Sequence, residues 1–87
     1  MMGKQSEALK LAIKDELIGE FRTIGARRGD VIPTGWLYDD FLPSLSRKEE
    51  RALEETVAEM IGEGIIEYVP GLKPTYRLTG KGAKMLC

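Results

Sequence analysis

The sequence predicts one small α+β domain, mainly helical, and three observations lead there. Apolar residues recur at helical spacing through two long segments, 5–24 and 46–62. After Gly64 the pattern changes to strand-forming residues on either side of a Pro-Gly pair, as in a β-hairpin. The chain of 87 residues, 43% hydrophobic and 31% charged, has apolar content for a core and length for a single domain. That domain is expected to fill residues 1–87, with 1–4 disordered at its start.

In the first segment Leu9, Ile13, Leu17, Phe21 and Ile24 form one apolar stripe, with Lys, Asp and Glu between them. Ser6 is placed to cap this helix, and Gly25 to end it in a left-handed conformation. Leu11 and Ile18 lie beside the stripe and widen the apolar arc to about half the circumference. Either the helix is clamped between other elements of its own fold, or this surface is a homodimer seam. Residues 26–30 read as a polar, glycine-punctuated connection, and Val31-Ile32 as a short extended piece stopped by Pro33.

Thr34 then opens a helix of about two turns whose apolar face is Leu37, Tyr38 and Phe41, expected to end before Pro43. Trp36 falls off that face, beside Asp39 and Asp40. It either lies flat against a neighbouring element or binds a partner.

The second long segment starts with a capping box, Ser46-Arg47-Lys48-Glu49, in which the serine hydroxyl and the glutamate three residues on satisfy each other's amides. Leu53, Val57, Met60 and Ile61 are its expected core stripe, and Gly62 and Gly64 bracket its end. The opposite face carries Lys48, Arg51, Glu55, Ala58 and Glu59, with Arg47 at its edge. Two strands follow, 65–69 and 75–79, joined by the loop 70–74, and residues 80–86 suit a last short helical turn.

Composition excludes several functions. The chain has no histidine, and its single cysteine is the last residue, Cys87, so intrachain disulfides, imidazole or thiolate zinc sites and histidine-assisted nucleophiles are all unexpected. The adjacent Asp39 and Asp40 point about 100° apart on a helix and do not converge on one reacting atom. Thr79-Gly80-Lys81-Gly82 is too short for a phosphate loop. No enzyme activity and no cofactor are expected. No run of ~20 apolar residues and no apolar leader are present, so the expected place is the cytoplasm, away from membranes.

The net charge of −1 hides a division. Residues 46–67 hold three basic and seven acidic side chains, whereas residues 68–87 hold Lys73, Arg77, Lys81 and Lys84 and no acid.

The order helix, short strand, helix, helix, strand, loop, strand resembles the winged helix-turn-helix superfamily. Residues 62–68, Gly-Glu-Gly-Ile-Ile-Glu-Tyr, look like that family's passage from recognition helix to first wing strand. Tyr76-Arg77-Leu78-Thr79-Gly80-Lys81-Gly82 looks like a second wing strand followed by the leucine-threonine-two-residues-glycine signature of many bacterial winged-helix regulators. The resemblance covers roughly residues 5–86 and implies a three-helix winged helix-turn-helix with a C-terminal hairpin wing.

It also implies that the helix 46–62 enters the major groove of double-stranded DNA while the wing touches phosphate or the minor groove. Carried onto this chain, Arg47, Lys48 and Arg51 become candidate groove contacts, and Lys73, Arg77 and Lys81 candidate phosphate contacts. The implied function is transcription regulation; a monomer this small offers few phosphate contacts, so two copies on two half-sites are expected, with the Leu11 and Ile18 surface as the candidate seam. The five glutamates at 49, 50, 54, 55 and 59 depart from this pattern. They leave open a solvated helix surface with an Arg51–Glu55 pair, or a winged-helix fold that binds a protein partner through its acidic face or the Trp36 and Tyr38 region.

Overall fold

The computed structural model describes residues 2–86, with side chains from residue 7 onward. Its first helix, α1 (Met2–Thr23), starts ahead of its apolar stripe. It takes in residues 2–4, expected to be disordered, and Ser6, expected to cap it, lies within it. Cys87 is outside the described residues.

Ile13, Leu17 and Phe21 are buried one turn apart, and Leu9 and Ile18 pack half-buried against the same core. α1 closes in a Schellman motif. Gly25 has φ 62°, its N–H donates to the Arg22 carbonyl at 3.0 Å, and Ala26 N–H donates to the Phe21 carbonyl at 2.8 Å. Ile24, the last member of the expected stripe, lies past the final turn and is 39% exposed.

The next helical segment differs from the two α turns expected. Trp36–Phe41 is π-helical, with Leu42 N–H donating to the Leu37 carbonyl five residues back. A 3₁₀ turn, Leu42–Ser44, carries the segment through Pro43. The expected end before Pro43 is therefore corrected. Proline falls in the opening positions of the new turn, where no amide donor is needed. Leu37 and Phe41 are buried, and Tyr38 is half-buried.

Helix α2 (Arg47–Gly62) begins with the capping box as expected. Glu49 N–H donates to Ser46 Oγ at 3.3 Å, and Ser46 N–H donates to Glu49 Oε1 at 2.9 Å. Its buried arc is Ala52, Leu53, Thr56, Val57 and Met60. Ile61, expected in that arc, is rotated one residue beyond Met60 and is exposed. A second Schellman motif ends α2. Gly64 has φ 77°, and Ile65 N–H donates to the Met60 carbonyl at 2.9 Å, which delivers Ile65 and Ile66 into the core.

Strands β1 (Ile66–Val69) and β2 (Thr75–Leu78) pair antiparallel in the register Ile66↔Leu78, Glu67↔Arg77, Tyr68↔Tyr76 and Val69↔Thr75. Residues 29–32 run along the free edge of β2. Val31 bridges Arg77, Ile32 N–H donates to the Tyr76 carbonyl at 2.9 Å, and Leu78 N–H donates to the Asp30 carbonyl at 2.8 Å. The extended piece read at Val31-Ile32 is thus a partner for the hairpin, though too short to count as a full strand.

Helix α3 (Gly80–Leu86) closes the chain. Thr79 Oγ1 caps it by accepting Gly82 N–H at 3.0 Å. With α3 and the segment 36–44 there are four helical segments among the described residues, where the winged-helix resemblance implies three. The result is a small, mainly helical α+β fold, with α1 against α2 and the hairpin closing the core through Ile65, Ile66 and Leu78.

Candidate functional site

α2 carries Arg47, Lys48 and Arg51 on its exposed first turns, and none of the three has an ion-pair partner among the described residues. The Arg51–Glu55 pair left open by the sequence is not formed. Their freedom follows from how α2 is flanked. At its C-terminal half, α1 supplies lysines to the acids: Lys10 Nζ stands 2.6 Å from Glu59 and 3.1 Å from Glu7, and Lys14 Nζ 3.8 Å from Glu63. Hydrogen bonds to Glu59 and then Glu7 hold the Lys10 ammonium well above the ordinary lysine range. At the N-terminal half no second element among the described residues supplies counter-charge. Glu49 is engaged in the capping box, and Glu50, Glu54 and Glu55 stand exposed beside the three cations.

The remaining candidates are not equivalent. Lys73 projects at the hairpin loop, its Nζ 5.9 Å from the Tyr38 ring centroid. Arg77 is matched across the hairpin by Glu67, Nε to Oε1 at 3.1 Å, as their register dictates. Lys81 donates to the Glu63 carbonyl at 2.7 Å, closing the C-terminal end of α2. A tract without acids in sequence is therefore not free of them in space: β1 and the end of α2 bring Glu67 and a backbone carbonyl to it.

Leu11 and Ile18 do not make a continuous seam. Leu11 is 60% exposed beside Lys10 and Lys14, whereas Ile18 is half-buried against the core. Trp36 is also part of the fold. Its ring stacks on Phe41 with centroids 4.7 Å apart and planes 11° apart. The two are five positions apart in the π-helical segment, a spacing that lays one ring over the other.

Three features lie beyond the sequence candidates. All three tyrosines of the chain gather at the hairpin. Tyr68 and Tyr76 meet at 6.1 Å across the strands, Tyr38 Oη donates to the Pro74 carbonyl at 2.5 Å, and burial pushes the Tyr76 phenol up. The eight-residue offset of Tyr68 and Tyr76 around a five-residue loop is the sequence signal for that pairing; nothing local points to Tyr38. Arg28 is the second feature: it lines a shallow concavity with Glu67 and Arg77, and its stem crosses Gly80. The third is Leu72, at the tip of the loop, whose side chain is wholly exposed.

Comparison with protein-family models, with curated proteins and with solved structures gives no match for this chain. No helix among the described residues is long and apolar enough to cross a membrane.

Proposed function

We propose that the chain is a small winged-helix-type module that binds double-stranded DNA, with α2 as the groove helix and the hairpin as the wing, and that it serves transcription regulation rather than catalysis. The observation that carries this reading is the set of three cations, Arg47, Lys48 and Arg51, on the first two turns of α2, without an ion-pair partner among the described residues. Arginine and lysine at such a position pair with phosphate and donate to the O6 and N7 acceptors of guanine. The bridge from Val31 to β2 supports the winged-helix part, because it places the segment before the second helix at the edge of the hairpin. Lys73 is the wing's phosphate contact, and Arg77 and Lys81 are assigned to the fold. Few phosphate contacts per chain favour two copies on two half-sites.

A second reading, a protein-interaction module, is favoured by Glu50, Glu54 and Glu55 on the same exposed face. Fluorescence anisotropy of a labelled random duplex at several salt concentrations separates the two. A linear fall of log affinity with log salt, with a slope equivalent to roughly two or more phosphates, supports DNA binding. Arg47→Ala with Arg51→Ala is expected to reduce that slope. Absence of binding at low salt removes the DNA reading and leaves the protein partner.

A further inference from the structure

The tip of the hairpin holds a combination that the fold does not use. Leu72 has a relative exposure of 105%, so no part of the chain shields it. Its neighbours are Gly71 and Lys73, and Pro70 and Pro74 bracket the loop. The base of that loop is held from three sides. Pro74 presents its carbonyl to the Tyr38 hydroxyl, Thr75 Oγ1 donates to the Ile32 carbonyl at 2.7 Å, and Val69 pairs with Thr75. Lys73 lies over the Tyr38 ring rather than over Leu72. A loop braced by two prolines and by these contacts loses little freedom when its tip is buried by a partner.

We propose that Leu72 is an apolar wedge that enters the minor groove of double-stranded DNA and opens a base step, with Lys73 on the adjoining phosphate. This rests on the DNA-binding reading above. The choice of DNA over an apolar pocket on a protein comes from charge. The loop 70–74 carries a lysine and no acid, and Glu67, the carboxylate that β1 brings to the hairpin, is matched by Arg77 at 3.1 Å. A leucine inserted between base steps is a known physical means of kinking a duplex, and pyrimidine–purine steps yield most readily.

The test uses the full chain and a duplex carrying 2-aminopurine at a central TA step, whose fluorescence rises on unstacking. Because nothing in the fold touches Leu72, Leu72→Ala is expected to leave the thermal midpoint unchanged. It should weaken duplex binding about 10-fold, the effect of leaving a leucine's apolar surface unburied, and abolish the fluorescence rise. Leu72→Phe should restore both. Wild-type binding with no rise, or equal binding and equal rise for Leu72→Ala, overturns the wedge while leaving DNA binding intact. No binding by the wild-type chain at low salt overturns both readings.

Discussion

Replacing Gly82 by alanine tests the packing of α3 directly. A Cβ at this position would stand 2.3 Å from the Ile65 carbonyl oxygen and 2.7 Å from Leu78 Cδ1, about 1 Å short of ordinary contact. The leucine can turn aside, but the carbonyl belongs to the backbone that leads out of α2 into β1, so α3 itself must move. Overpacking of this kind costs ~1–3 kcal/mol, and a backbone obstacle places Gly82→Ala at the upper end. For a domain of this size that corresponds to a fall of ~10–25 °C in thermal midpoint. Far-UV circular dichroism and Trp36 emission during urea and thermal unfolding would measure it. Gly19→Ala is the internal control, since its Cβ meets nothing within 4 Å and it lies inside α1. It should stabilise by ~0.5–1 kcal/mol through helix propensity. A Gly82→Ala effect below ~0.5 kcal/mol would refute the close approach of α3 to Ile65.

Ser46→Ala removes the capping box of α2 and should lower stability by ~1 kcal/mol, read from urea midpoints; an unchanged midpoint would mean that the cap contributes nothing. Lys10 has a folded pKa above its unfolded value, so its contribution to stability is complete below the ordinary lysine pKa of about 10.4 and is lost only as pH rises through the raised value. Its ε-methylene NMR signals should therefore still report the charged form above the ordinary lysine pKa, and Lys10→Met should change stability equally at pH 6 and pH 9. Titration of Lys10 at the ordinary lysine pKa would show that the bonds to Glu59 and Glu7 do not persist in solution.

What the sequence revealed about the fold lies in local signals with a single reading. The capping box at Ser46, the glycines at 25 and 64, and the loop 70–74 each specify one backbone geometry, and each is found where expected. The segment 33–44 misled because a period of 3.6 was assumed. The π turn widens the spacing, so Trp36 comes over Phe41 and the chain continues through Pro43 in a 3₁₀ turn. Ile24 and Ile61 were misplaced for a related reason. Ile24 lies beyond the last residue of α1, and Ile61 is turned about 100° from Met60, which fills the core at that turn of α2. Of the candidate residues, Arg47, Lys48 and Arg51 could be placed on the exposed face of α2 from helical periodicity alone. The partners of Arg77 and Lys81 could not be read so, since Glu67 and the Glu63 carbonyl are brought to them by the hairpin and by α3.

The hairpin is tied to the end of α2 by the short stretch that reads Thr79-Gly80-Lys81-Gly82. Thr79 Oγ1 lies 2.5 Å from the Gly64 carbonyl and 2.9 Å from that of Ile65, while accepting Gly82 N–H. Lys81 holds the Glu63 carbonyl, and Gly82 seats against Ile65. The exit from α2 and the exit from β2 are thus locked to one another by one hydroxyl, one ammonium and one missing side chain. Thr79→Val keeps the shape and removes the hydroxyl, leaving the Gly82 amide and the Gly64 carbonyl to find other partners while the Ile65 carbonyl keeps the backbone N–H of residue 79, at ~1–3 kcal/mol. In the DNA reading such a variant disturbs where the wing sits and touches no phosphate. It should therefore weaken duplex binding while the slope of log affinity against log salt stays that of the wild type, unlike changes at Arg47, Arg51 or Lys73, which reduce it. A Thr79→Val chain that is less stable but binds with wild-type affinity would show that the geometry between wing and helix does not govern binding.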